Sequence, residues 1–141
     1  MKIKKKPPCT TLSASERLKA AGLRPTRQRR LLARLLFERG DRHITAELLH
    51  QEAEEAGHPV SLATVYNALH QFTQAGLLQQ VIVDPSHTYF DTNTDPHQHF
   101  YDEQQRLLTD ISAAISVSGL PLPPKGSKIT KVDVVVRIRS A

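Results

Sequence analysis

The chain has 141 residues and a formal net charge of +5 at pH 7, because Lys and Arg outnumber Asp and Glu by 19 to 14. This length allows one ordinary domain or two small ones, and the positive balance favours nucleic acid as a partner more than a small substrate. A single cysteine, Cys9, excludes an internal disulfide or a multi-cysteine zinc site within one chain.

Residues 1–12 combine lysines and prolines without periodicity, which predicts a flexible basic arm. We interpret Cys9 as an ordinary residue of this arm. No apolar stretch typical of a signal peptide follows, and no apolar run is long enough to span a bilayer. The sequence therefore predicts a cytoplasmic location and no membrane partner.

Four helices are predicted, each from a start signal followed by apolar residues at helical spacing. Ser13–Glu16 has the capping-box pattern and begins a short first helix. Pro25 stands at the threshold of a second helix. Thr45 and Ser61 are the expected N-caps of the third and fourth helices.

A hairpin is predicted directly after the fourth helix. Leu77–Val83 and Thr88–Phe90 are rich in β-forming residues, and the turn residues Asp84–His87 separate them. Helix, turn, helix and hairpin in this order are typical of a winged helix-turn-helix. Residues 13–91 are accordingly predicted to be a winged-helix DNA-binding domain.

Residues 92–141 are predicted to form a small C-terminal α/β dimerisation domain, so the expected fold class is α+β. Strands are expected at Gln98–Tyr101 and Lys131–Ile138, with a helical patch near Asp110–Ser118. An exposed strand edge is a liability unless it is paired, which favours a homodimer.

The fourth helix is the candidate DNA-reading element, because the second helix of a helix-turn-helix lies in the major groove. Tyr66 offers a ring to a thymine methyl and a hydroxyl to a phosphate, and the Asn67 amide can bond adenine in two places. Ser61 and Thr64 can reach phosphates. The alternative is that Tyr66 packs against the hairpin and Asn67 is a solvated helix residue.

Arginines cluster where the second helix begins. They are Arg24, Arg27, Arg29 and Arg30, which could contact backbone phosphates or enter a minor groove, and we assign Arg24 and Arg27 to DNA. A solvated basic helix end is the alternative for this cluster.

His97 and His99 are two residues apart. On a strand both imidazoles leave the same face and can share one cation. A pair of surface histidines is the alternative when this spacing is taken alone.

Five segments carry a distinctive set of motifs: Leu23–Arg29, His43–Glu47, Ser61–Asn67, Phe72–Leu78 and His97–Phe100. In order and spacing they resemble the ferric uptake regulator family. The resemblance implies a homodimeric repressor whose winged helices bind an inverted repeat in double-stranded DNA. It further implies that the C-terminal halves form the dimer interface and hold the sensory ligand.

The resemblance also implies a regulatory metal site that joins the two domains, with the ligands His43, Asp91, His97 and His99. Such ligands suit Fe²⁺, Mn²⁺ or Zn²⁺, and their types do not decide among these ions. Gln98 and Asp110 stand where a second family site has ligands. The histidine that would complete that site is missing from Ile129–Arg139, so the second site is not predicted.

No cysteine follows His99, so the family's Cys₄ structural zinc site is absent. With this departure, and in the motifs Ala63–Asn67, Leu122–Gly126 and Val132–Arg137, the chain resembles the iron response regulator branch. This resemblance implies action when iron is scarce and inactivation by haem. Haem would take His97 or His99 as an axial ligand in place of the metal.

We therefore expect an iron- or haem-responsive transcriptional regulator whose cofactor is haem, a divalent metal, or both. A divalent-metal-dependent repressor without haem sensing is the alternative. A non-haem metalloenzyme is a more remote one, because histidines and a carboxylate also describe such a site. No obvious general base, phosphate loop or nucleophile accompanies these ligands, which argues against an enzyme.

Overall fold

The computed structural model describes residues 12–141, and its chain forms two compact units. The first unit ends at Thr94 and the second spans Asp95–Ala141. The predicted arm, with Cys9, lies outside the described residues except for Leu12. None of the helices in the described part is both long and apolar enough to cross a membrane.

Four helices begin within two residues of the predicted start signals: α1 (Ala14–Ala20), α2 (Arg27–Phe37), α3 (Ala46–Glu55) and α4 (Leu62–Gln74). Ser13 and Glu16 form the expected capping box of α1. Thr45 and Ser61 cap α3 and α4, and Thr26, which follows the proline, caps α2. Each cap oxygen accepts a backbone N–H that the helix itself leaves unpaired.

The apolar faces of these helices pack into one core. Its fully buried members include Leu32, Leu36, Leu49, Leu69 and Phe72, which come from α2, α3 and α4. Because one face of α4 faces this core, its polar residues lie on the opposite, exposed face.

A three-stranded antiparallel sheet completes the first unit. Its strands are β1 (His43–Ile44), β2 (Gln79–Asp84) and β3 (His87–Asp91), in the order β1-β3-β2. The predicted hairpin is confirmed as β2 and β3. The two-residue strand β1 was not predicted, because it is too short to show an alternating pattern and exists only through its pairing with β3. The order of elements is that of a winged helix.

The tip of the hairpin is held by one carboxylate. Asp84 Oδ1 accepts the backbone N–H and the hydroxyl of Ser86 at 2.9 and 2.8 Å, and His87 Nδ1 lies 2.7 Å from the same oxygen. The hydrogen bond from His87, followed by that from the Ser86 hydroxyl, lowers the pKa of Asp84 to about 2. The turn therefore keeps an ionised carboxylate at neutral pH.

The second unit contains a separate three-stranded sheet of β4 (Gln98–Asp102), β5 (Leu107–Ile111) and β6 (Val135–Ile138). The order is β5-β4-β6, with β5 antiparallel and β6 parallel to β4. The predicted strand at Gln98–Tyr101 is confirmed, and β6 covers the second half of the predicted Lys131–Ile138.

The helical patch predicted near Asp110–Ser118 is wrong. Residues 107–111 form β5, and no helix or strand occurs in residues 112–134. Pairing with β4 explains why the first two residues of the patch are extended, since it places Leu108 opposite Tyr101 and both side chains are buried. The α+β fold class is confirmed.

Candidate metal ligands and nucleic-acid interface

Two of the predicted metal ligands form a pair in the first unit. The antiparallel pairing of β1 with β3 places His43 opposite Asp91, and His43 Nε2 lies 3.1 Å from Asp91 Oδ2. Asp91 is 1% exposed, and its Oδ1 accepts the Asn93 backbone N–H at 2.9 Å. Burying a carboxylate costs free energy unless the carboxylate is paired. The contacts with His43 and with the Asn93 N–H provide that pairing and hold the Asp91 carboxylate beside the His43 imidazole.

The second unit holds a triad of His97, His99 and Asp110. His97 immediately precedes β4 and His99 lies within it, and their ring centroids are 4.5 Å apart. Asp110 lies opposite His99 on β5, and its Oδ1 is 3.1 Å from His97 Nε2 and 3.4 Å from His99 Nε2. His99 is 2% exposed, so one edge of this triad is buried.

A backbone carbonyl sets the orientation of one imidazole. His97 Nδ1 lies 2.5 Å from the Asp95 carbonyl oxygen, which can only accept, so Nδ1 carries the proton. In the neutral ring, Nε2 then presents its lone pair to Asp110 Oδ1. Nε2 and Oδ1 are then both acceptors 3.1 Å apart, so a proton or a cation is needed between them. An imidazole whose other nitrogen donates to a backbone carbonyl is typical of metal-bound histidine. The triad therefore fits a divalent cation that accepts nitrogen and oxygen ligands.

Asp110 is a candidate ligand that sequence reasoning placed elsewhere. From the sequence, Asp110 and Gln98 match ligands of a second family site, and that site is not predicted because its completing histidine is missing. In the structure Gln98 Oε1 instead accepts the Val134 backbone N–H at 2.8 Å, so its side chain ties β4 to the segment before β6. Only the strand register brings Asp110 to the two histidines, and no local pattern in the sequence signals it.

The exposed face of α4 presents two amide side chains beside the start of α2. Asn67 is exposed and, within residues 12–141, its amide has no hydrogen-bond partner. With Arg29 and Gln71 it lines an open hollow of about 330 Å³. This is the position that the sequence predicted for a base-reading amide.

Arg29 holds Gln71 in one orientation. Its Nε and Nη2 donate to Gln71 Oε1 at 3.3 and 2.9 Å, while its Nη1 donates to the Arg24 carbonyl at 3.0 Å. With the amide oxygen engaged, the NH₂ group of Gln71 remains as a donor for an acceptor such as guanine O6 or thymine O4. Gln71 was not among the DNA-binding residues predicted from the sequence.

Tyr66 is tied to α3. Its hydroxyl donates to Glu47 Oε1 at 2.6 Å, and its ring, which is half-buried, stacks on His70 with centroids 6.4 Å apart. The hydroxyl proton is thus committed to a carboxylate, and a hydrogen bond from it to a phosphate would require this contact to break. The hydrogen bond to Glu47 raises the pKa of Tyr66 above its ordinary value of 10.0, with burial and the nearby negative charge acting in the same direction.

Glu47→Gln is expected to lower the pKa of Tyr66 towards 10, because a neutral amide holds the phenolic proton less strongly than a carboxylate. Since the folded pKa is the raised one, this hydrogen bond stabilises the fold below about pH 10 and is lost as pH rises through the folded pKa. Phenolate absorbance over an alkaline titration measures the shift, with Tyr66→Phe identifying the relevant transition. Glu55→Gln, also on α3, is the control, and an equal shift in that variant would contradict the assignment.

The remaining predicted DNA contacts lie around these residues. Ser61 and Thr64 are engaged with each other: Ser61 Oγ accepts the Thr64 backbone N–H at 3.1 Å and lies 2.8 Å from Thr64 Oγ1. Their side chains therefore serve the N-terminal cap of α4. Arg24 and Arg27 are exposed where the chain enters α2.

The sequence profile of the ferric uptake regulator family matches residues 20–117. The chain belongs to this family. The members of the family are transcriptional regulators and not enzymes.

Two curated relatives illustrate the similarity. The chain is 34% identical over 86 residues to the ferric uptake regulation protein of Legionella pneumophila, and 33% identical over 94 residues to the peroxide-responsive repressor PerR of Staphylococcus aureus. These stretches cover 61% and 67% of this chain. They span 63% of the length of each relative.

The fold is shared with a solved ferric uptake regulator of Pseudomonas aeruginosa, a structure determined with manganese. The two chains superpose with a TM-score of 0.68 at 24% identity, covering 92% of this chain and 98% of the other. This likeness supports the fold independently of the sequence motifs.

Proposed function

We propose that the protein is a metal-responsive transcriptional repressor that binds an inverted repeat in double-stranded DNA as a homodimer. The observation that carries the proposal is the exposed amide face of α4, where Asn67 and Gln71 lie beside Arg29 in a chain of a regulator family. In this proposal residues 13–91 bind DNA, and residues 92–141 provide dimerisation and ligand sensing.

DNA recognition in this proposal uses α4 in the major groove. The free amide of Asn67 pairs with an adenine edge, and the NH₂ group of Gln71 donates to a neighbouring acceptor. Arg24 and Arg27 contact backbone phosphates, which adds affinity without sequence preference. The ring of Tyr66 lies on the same helix and packs against a base methyl group.

Metal responsiveness rests on the two sets of histidine and carboxylate side chains. We propose that His43, Asp91, His97 and His99 bind one divalent cation, with Asp110 as a further ligand. A bound Fe²⁺, Mn²⁺ or Zn²⁺ would supply a positive charge that these ligands share, and it would favour the conformation of the chain that binds it. DNA affinity then changes by the difference in cation affinity between conformations.

The alternative is a haem-responsive regulator in which His97 or His99 is the axial ligand, and one experiment can test it against the metal-dependent repressor. Titration of the metal-free protein with haem and with Mn²⁺ distinguishes them, with the Soret band and DNA affinity as readouts. A Soret shift that needs the two histidines and weakens DNA binding would assign the protein to the haem-responsive branch. Divalent metal that tightens DNA binding, with haem inert, supports the metal-dependent repressor.

The DNA-binding proposal is tested by selecting duplexes from a random pool with the Mn²⁺-loaded protein and measuring affinities by fluorescence anisotropy. Asn67→Ala should weaken binding to the selected duplex by about 1–3 kcal/mol more than binding to a random duplex, because a bidentate contact to a base edge is lost. Gln51→Ala, which removes an exposed amide from α3, is the matched control. A pool that shows no enrichment contradicts the proposal, and equal losses on both duplexes contradict the role of Asn67.

A further inference from the structure

A groove in the first unit lies between α2 and the segment that joins α3 to α4. It has a volume of about 490 Å³, and its walls include Arg27, Arg30, Arg34 and His58. The arginines stand at positions i, i+3 and i+7 of α2, so they share one face of the helix. We call this feature the arginine groove.

The arginine groove is positively charged and has no acidic residue in its lining. Arg27, Arg30 and Arg34 are all exposed, and none forms an ion pair with any other residue in the described range 12–141. This differs from Arg39 and Arg42, which both pair with Glu52. The three guanidinium groups therefore keep their full charge and all of their donors for an external anion.

The groove adjoins the recognition face. Its second wall is the segment Gly57–Val60, which leads directly into Ser61, the cap of α4. Gly57 has φ +78°, a conformation that other residues rarely adopt, so the shape of this wall is set by the backbone. Gln28 lines both the groove and the hollow beside Asn67, which makes the two surfaces continuous across α2.

We infer that the arginine groove binds the phosphodiester backbone of double-stranded DNA beside the major groove that α4 enters, an inference that rests on the proposed function. Guanidinium groups match phosphate geometry with paired donors. The seven residues from Arg27 to Arg34 span about 10 Å of helix, whereas successive phosphates along one strand rise by roughly 3.4 Å. The three arginines can therefore contact successive phosphates. The contact is independent of base sequence. It places Arg30 of the predicted cluster on the backbone and extends the interface to Arg34, which the sequence did not indicate.

The test measures log affinity against log salt concentration for a random-sequence duplex and for a selected one. The variant Arg27→Gln/Arg30→Gln/Arg34→Gln should reduce the magnitude of the slope by about 3 for each bound subunit, about 1 for each lost contact. Affinity for the two duplexes should fall by the same factor. Arg27→Lys/Arg30→Lys/Arg34→Lys keeps the charges and should retain the slope.

The matched control is Lys125→Gln/Lys128→Gln/Lys131→Gln, which removes three charges from the second unit and should leave the slope unchanged. Glutamine and arginine have similar helix propensities, and circular dichroism checks that each variant is folded. If the triple variant is unstable, the single variants Arg30→Gln and Arg34→Gln replace it in the same measurement. Each is expected to lower the magnitude of the slope by about 1.

The outcomes separate the inference from the proposed function. A wild-type protein without salt-dependent DNA binding overturns both. Wild-type binding whose slope is unchanged by the arginine substitutions overturns the arginine groove alone. A loss confined to the selected duplex also overturns it, because a backbone contact weakens both duplexes alike.

Discussion

His97→Ala/His99→Ala is expected to weaken Mn²⁺ binding by at least about 100-fold, because loss of a single supporting residue around a metal commonly costs 10–100-fold and this variant removes two ligands. The two imidazoles have ring centroids 4.5 Å apart and both face Asp110. Without them the proposed site keeps only one imidazole, that of His43, with the carboxylates of Asp91 and Asp110. Calorimetric titration of the metal-free protein measures the loss.

A control for the number of histidines is available within the chain. His50→Ala/His87→Ala removes two imidazoles that lie outside both ligand sets, where they contact Glu54 and Asp84. This variant should keep wild-type Mn²⁺ affinity. Equal losses in the two double variants would contradict the assignment, as would an unchanged affinity in His97→Ala/His99→Ala.

The same titration tests the role that only the structure assigns to Asp110. Asp110→Asn keeps the shape of the side chain and removes the charge, so it should reduce Mn²⁺ affinity by less than the double histidine variant. Gln98→Ala, one residue from both histidines, should leave the affinity close to that of the wild type, since Gln98 contacts the Val134 backbone.

Leu49→Ala is expected to destabilise the first unit by about 2–5 kcal/mol, because it deletes buried methyl groups and leaves a cavity in a packed core. Leu49 is 0% exposed, whereas its neighbour Leu48 in α3 is 42% exposed. Leu48→Ala makes the same chemical change in the same helix and should cost less than about 1 kcal/mol. Alanine is a strong helix former, so neither variant loses helix propensity.

Urea unfolding followed by circular dichroism at the helical band measures this difference. All helices in residues 12–141 lie in the first unit, so the helical signal reports on that unit. The midpoint for Leu49→Ala should shift far more than that for Leu48→Ala, with little change in slope. Similar shifts for the two variants would contradict the placement of α3 against the core.

The elements that could be predicted from the sequence are those whose cause is local. A cap is a contact between residues three apart, as between Ser13 and Glu16, and the helix starts were accordingly found within two residues. The hairpin was found because its strands and turn are adjacent in the chain. The two-residue period of a strand predicted that His97 and His99 lie side by side, and their rings do so, although His97 immediately precedes β4.

The errors occurred where a segment has no strong period of its own. β5 has a single buried residue, Leu108, so its alternation is too weak to exclude a helix. β1 consists of two residues. In both cases a partner strand supplies the hydrogen bonds: β1 pairs with the distant β3, and β5 pairs with β4, the strand just before it in the chain.

The sequence by itself determined the capped helices, the hairpin, the paired histidines and the motifs of the ferric uptake regulator family, because each depends on residues close together in the chain. Only the tertiary structure decided that Asp110 joins His97 and His99, that Arg29 orients Gln71, and that Glu47 holds the Tyr66 hydroxyl. Arg29 and Gln71 are separated by 42 residues and Tyr66 and Glu47 by 19. Contacts over such separations are created by strand register and helix packing, and they leave no periodic pattern in the sequence.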